Sequence, residues 1–182
     1  MAVAVQNPAG LFPALEVVPC SEPSSTSDVA SPADLASLPD LASALLQIMR
    51  GYSAHAGTVH LLDSFGLLHL VASQGVPESV CDKMRTLPLG KGAAGLATER
   101  RQAVNVSNLR MDPAGEGRPE RETAGLKQAL ALPIFRGDAV IGALGIETSN
   151  DRAFSDVEIA ALLDAGRSIG TRFLGPLRSG GR

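Results

Sequence analysis

The sequence predicts an α+β domain: a mostly antiparallel sheet held between two amphipathic helices. Three observations carry that reading. β-like runs come in close pairs, Thr58–Asp63 with Leu67–Ser73 and Leu126–Phe135 with Ala139–Thr148, and the joining turns are too short for a parallel crossover. Leu41, Leu45, Ile48, Met49 and Tyr52 recur at spacings of three and four, as do Ile159, Leu162, Leu163, Gly166, Ile169 and Phe173 towards the other end. The chain of 182 residues, 45% apolar and 19% charged, suits one globular core with some tail.

Residues Met1 to Pro39 carry repeated Pro and a run of Ser (Ser21, Ser24, Ser25, Ser27) with little apolar periodicity, so they read as a flexible tail. Pro39 opens the first helix, which Gly51 and Gly57 close. After the first hairpin, Val76-Pro77-Glu78 begins a short helix to about Met84. A strand at Arg85–Leu89 runs into Gly90-Lys-Gly92, a second short helix covers Ala93 to Arg101, and a strand follows at Ala103–Ser107. Asn108 to Ala124 is polar and long for a connection, the composition of a lid or a disordered segment. Arg136-Gly-Asp138 turns the second hairpin, and Ser155-Asp-Val-Glu158 has the capping-box form that starts a helix. The stretch from 176 to 182 reads as a flexible C-terminus, so the predicted domain spans 40–175.

Composition excludes several classes of function. With 16 basic against 19 acidic residues, the chain has no cationic footprint for nucleic acid, and 3% aromatics leave no stacking platform for bases. No apolar run reaches a membrane-spanning length, and the N-terminus lacks the pattern of a secretory signal, so a cytoplasmic location without membrane contact is expected. Cys20 and Cys81 make neither a disulfide framework nor a zinc quartet. No cofactor is expected.

Val59-His-Leu-Leu-Asp63, Leu70-Val-Ala-Ser-Gln-Gly75 and Leu87-Pro-Leu-Gly-Lys-Gly-Ala-Ala-Gly95 are followed by Leu132-Pro-Ile, Val140-Ile-Gly-Ala-Leu-Gly145 and Phe154-Ser-Asp-Val-Glu158. In this order, from about Leu41 to Phe173, they resemble a GAF domain. The resemblance implies a six-stranded antiparallel sheet with the N- and C-terminal helices on one face. On the other face it implies short helices and a small-molecule pocket. It also implies a sensor acting in signal transduction or transcriptional regulation.

The candidate ligand-binding residues are Gly92, Ala93, Ala94, Gly95, His60, His69 and Arg110. The small residues from Gly92 to Gly95 let a ligand approach N–H groups at a helix start, which suits a small anion; the bland alternative is tight packing on the sheet. Gly90-Lys-Gly-Ala-Ala-Gly95 also matches the dinucleotide fingerprint, but the helix after it is too short for a parallel crossover. Counting the hairpin register makes 60 face 69, which puts both imidazoles on one face with Leu62, Leu67 and Val71. Val59, Leu61, Leu68, Leu70 and Ala72 then line the other. Two His alone do not make a metal site, so ligand contact or a structural pair is left. Arg110, directly after a strand, is the charge expected near an anion.

Among GAF relatives that do chemistry, the free methionine-R-sulfoxide reductase pattern has a cysteine in the glycine-rich turn, where Ala94 stands here. It has another cysteine before the fifth strand, whereas none follows Cys81, and an acidic pair where this chain has Gly145 and Glu147. Without a placed thiol that reaction has no nucleophile, so no enzyme activity is expected. The cyclic-nucleotide signature is broken at Asp151, where Lys belongs, and neither cysteine suits a covalent bilin. The expected partners are an unidentified small molecule, a second copy of the chain through the terminal helices, and a sensor kinase or regulator; a ligand-free interaction module is the alternative.

Overall fold

Leu41, Leu45 and Met49, four residues apart, form the buried stripe of helix α1 (Leu38–Gly51). Pro39 lies in its first turn, where a missing N–H breaks no helical bond. The computed structural model describes residues 38–107, 128–149 and 153–172. The tail to residue 37, the segment 108–127 with Arg110, Phe173 and the C-terminus lie outside the described residues.

Strands β1 (Ala56–Leu62) and β2 (Leu67–Gln74) pair antiparallel. Asp63 makes the turn between them, its Oδ1 accepting 2.8 Å bonds from the N–H groups of Phe65 and Leu67. Then follow α2 (Glu78–Lys83), β3 (Thr86–Pro88), α3 (Gly92–Arg100) and β4 (Val104–Ser107). The second hairpin joins β5 (Gln128–Arg136) to β6 (Ala139–Thr148) across Gly137, whose positive φ of 58° the turn requires. Helix α4 (Asp156–Arg172) begins at the expected capping box. There the Ser155 N–H donates to Glu158 Oε2 at 2.8 Å and the Glu158 N–H to Ser155 Oγ at 3.4 Å.

The strands form one antiparallel six-stranded sheet in the order β3-β2-β1-β6-β5-β4. Helices α1 and α4 cover one face and α3 the other. The main core lies under α1 and α4, where Val59, Leu130, Leu132, Ile134, Leu144 and Ile146 meet Leu41, Leu45, Leu162 and Ile169. α4 approaches β5 backbone to backbone: a Cβ on Gly170 would stand 2.1 Å from the Phe135 carbonyl oxygen.

The turn of the first hairpin corrects the expected register: the Asp63 N–H donates to the Leu67 carbonyl at 2.9 Å, so three residues, Ser64, Phe65 and Gly66, make the turn where the 60–69 pairing needs an even number. His60 lies opposite Leu70, and Leu61 opposite His69, so the two imidazoles are not cross-strand neighbours. Side chains alternate along a strand, so this one-residue difference in register puts His69 on the opposite face from His60; a β-bulge follows farther from the turn, between Val59 and His60. Leu68 shifts with it, joining Ala94 and Ala143 on the His60 side, while Val71 packs into the main core.

Candidate functional site

In β5 and β6 the face covered by α3 is built mainly from small side chains, while Leu62 and Leu68 of the first hairpin lie on the same side. Strand alternation sends Leu130, Leu132 and Ile134 to the helical core and Ala129, Ala131 and Pro133 to the opposite side. In β6, Leu144 and Ile146 likewise face the core, while Ala143 and Gly145 face α3. β1 contributes Thr58 and His60 to this side; Thr58 is paired with Gly145 and His60 with Ala143. A Cβ on Gly145 would meet the Thr58 hydroxyl oxygen at 2.6 Å, so that hydroxyl reaches over the glycine.

α3 packs its own small residues against this face. Ala94 meets Leu68 and Ala143, and Ala93 meets Val106 and Ala129. A Cβ on Gly95 would lie 2.5 Å from the Pro88 carbonyl oxygen, so Gly95 and Ala94 serve the close approach of α3 to the sheet. Gly92 starts the helix with a φ of 62°. Lys91, the residue before it, makes no side-chain cap, and the first helical bond runs from the Gly95 N–H to the Lys91 carbonyl at 3.1 Å. The N–H groups of Gly92, Ala93 and Ala94 therefore have no acceptor within the helix.

His60 is fully buried, and its Nε2 lies 3.0 Å from the Met84 carbonyl oxygen. A carbonyl can only accept, so Nε2 carries the proton and Nδ1 is left with a lone pair. Among the described residues Nδ1 has no hydrogen-bond partner. Burial, with a smaller contribution from His69, pushes the His60 pKa down from its ordinary 6.5 to about 4, against the Met84 bond that opposes the change. The ring is neutral at physiological pH. His69 serves the first hairpin instead, its Nε2 meeting Asp63 Oδ2 at 2.7 Å and bracing the turn that Asp63 already caps. Burial works to raise the Asp63 pKa, but the bonds from His69, Leu67 and Phe65 outweigh it and hold the carboxyl below its ordinary range.

Of the residues expected from sequence, His60, Ala94 and the start of α3 therefore come together around Ala143, and His69 does not join them. Arg110 lies outside the described residues. Sequence reasoning passed over Ala129, Ala131, Ala143, Thr58 and the Met84 carbonyl, and weighed Gly145 only as the place of a missing acid. The small–large alternation in Ala129-Leu-Ala-Leu132 and Ala143-Leu-Gly-Ile146 was the available signal. Among the described residues no group of three His, Cys, Asp or Glu could hold a metal ion, and no helix is long and apolar enough to cross a membrane. Cys81 is buried, with Sγ 3.5 Å from Ser73 Oγ.

A family model described as GAF domain matches residues 36–171. The chain belongs to the GAF family. Solved structures agree on the fold of this GAF domain. The GAF domain of a phosphoenolpyruvate-protein phosphotransferase from Coxiella burnetii is 24% identical over 78% of this chain and 82% of its own, with a TM-score of 0.62. The type II free methionine-R-sulfoxide reductase of Thermoplasma acidophilum is 18% identical over 76% of this chain and 92% of its own, with a TM-score of 0.63. The free methionine-R-sulfoxide reductase of Neisseria meningitidis is 19% identical over 75% and 77%, with a TM-score of 0.61. No curated protein matches the sequence. GAF domains are typically ligand-sensing or regulatory, and this one has the family's sheet and helices in place.

Proposed function

We propose that this GAF domain is a non-enzymatic sensor that holds a small molecule between the sheet and α3. The supporting observation is the difference between the two faces. One face carries Leu130, Leu132, Leu144 and Ile146 under two helices, and the other carries Ala129, Ala131, Ala143 and Gly145 in the same strands. Small side chains beside a buried imidazole and uncapped helix N–H groups make a recognition surface rather than a stability core. The N–H groups of Gly92, Ala93 and Ala94 suit a small anion, and the positive end of the α3 dipole adds to the attraction. Ligand binding would shift the pose of α1 and α4, which carry the output to a second copy of the chain or to a cytoplasmic signalling partner by population shift.

Sulfoxide reduction is the competing reading, since two structural neighbours carry that name. Its chemistry needs a thiolate at the ligand, and Ala94 occupies the glycine-rich turn, while Cys81 is engaged with Ser73. The test is thermal stabilisation of the full chain by acetate, nitrate and phosphate, compared with the variant Ala131→Leu, which fills the proposed binding layer. Stabilisation by at least one anion that Ala131→Leu abolishes supports the proposal. No stabilisation, or equal stabilisation of both proteins, overturns it.

A further inference from the structure

The imidazole of His60 uses one nitrogen for the fold and leaves the other without a partner among the described residues. A buried acceptor without a partner is destabilising, and such groups are rare in native structures. Leucine or phenylalanine at this place in β1 would avoid that penalty, because Leu62, Leu68 and Leu70 already make the surroundings on this face apolar. Across from His60 the strands place Ala143 in β6 and Pro133 in β5, and the adjoining row on the same face, opposite Thr58, holds Gly145 and Ala131. The same strands place Leu144, Ile146 and Leu132 on the opposite face, so the small residues are confined to the side where the orphan nitrogen lies.

We propose that His60 Nδ1 is the acceptor that selects the ligand, which must present an N–H or O–H donor to it. The inference rests on the binding layer proposed above and adds a chemical requirement to it. Nε2 is held by Met84, which fixes the tautomer and the plane of the ring, so Nδ1 offers its lone pair in one direction. The neutral state of the buried ring keeps that lone pair available at physiological pH. A ligand of the right shape without a donor leaves Nδ1 desolvated and binds about tenfold more weakly.

Matched probes test this with the full chain: phenol against toluene, and glycolate against acetate. Each pair differs chiefly in an O–H donor. Thermal shift and titration are expected to show the donor-bearing member binding about tenfold more tightly in at least one pair. His60→Phe removes the Nδ1 acceptor and supplies no other, and the ratio should fall to about one. Nitrogen-15 spectra of the imidazole provide a second readout that needs no variant. Nδ1 must be unprotonated in the free protein, and its resonance must move when phenol or glycolate binds. Equal binding within both pairs, a protonated Nδ1, or a preserved ratio in folded His60→Phe overturns the inference and leaves the binding layer standing. If no probe binds, the layer and the inference fall together.

Discussion

Acid is expected to unfold this domain through His60 before it acts on the carboxylates. A His pushed from 6.5 in the unfolded chain to about 4 in the native state binds fewer protons when folded over the whole interval between those values. Stability therefore rises with pH across that window: the contribution of the buried neutral ring is complete above about pH 6.5 and is lost as pH falls towards 4. At roughly 1.4 kcal/mol per pH unit, the interval amounts to about 3 kcal/mol. Native stabilities are only about 5–15 kcal/mol, so the loss is a large fraction of the whole. Asp63 acts elsewhere on the pH axis. Its lowered pKa gives stability that is present above 3.8 and lost only below it. Urea denaturation of the wild type and His60→Gln at intervals from pH 4 to 7.5 isolates the effect. The wild type should lose about 3 kcal/mol more than the variant over that range. Parallel curves for the two proteins would refute the assignment of a buried, neutral His60.

The two faces of the sheet should respond oppositely to changes of size. Leu132→Ala, in the fully buried core, is expected to lose about 2–5 kcal/mol in chemical denaturation. Ala131→Leu should stay within about 1 kcal/mol of the wild type, and an overpacking loss of about 3 kcal/mol would show that no room exists on the α3 side. Gly170→Ala should destabilise by at least about 1 kcal/mol although alanine is the better helix former, because its Cβ would press on the Phe135 carbonyl; a stabilised variant would contradict the close approach of α4 to β5. The guanidinium groups of Arg101 and Arg167 lie 5.6 and 5.4 Å from the centre of the Phe135 ring. Either Arg→Ala change is expected to lose about 0.5–1 kcal/mol, and neither loss should persist in a Phe135→Leu background.

Local signals carried most of the fold. The spacing of Leu41, Leu45 and Met49 marks α1, the pairing of runs around Arg136-Gly-Asp138 marks the second hairpin, and Ser155 with Glu158 marks the start of α4. Each depends on residues close in sequence, so each is readable without the sheet. The register of the first hairpin turns on the number of residues in its turn. The pairing of 60 with 69 needs an even number, but the Asp63 N–H donates to the Leu67 carbonyl, which leaves three, Ser64, Phe65 and Gly66, with Gly66 at a φ of 82°. That difference of one residue puts His60 and His69 on opposite faces, with two unrelated roles in place of a symmetrical pair. The glycine-rich turn was legible as a close approach, but its partner was not. The Pro88 carbonyl beneath Gly95 and the Ala143 methyl beneath Ala94 are tertiary neighbours.

The same alternation would let one short sheet serve both stability and the proposed recognition. β5 and β6 are covered on both faces, so hydrophobic drive alone would favour large side chains on each. Instead the large ones are confined to the α1 and α4 side, where Leu130, Leu132, Ile134, Leu144 and Ile146 are buried in one cluster. That cluster can hold the fold without help from the opposite face. The α3 side is then free to carry groups that a core would exclude: an imidazole with an open nitrogen, a hydroxyl over a glycine, and helix N–H groups without a cap. Since α4 packs on the reverse of the strands that bear Ala131 and Ala143, a ligand that moves those strands acts directly on the Gly166 and Gly170 contacts with the Pro133 and Phe135 carbonyls. Only the thickness of the sheet separates the proposed recognition face from the helix proposed to carry the output.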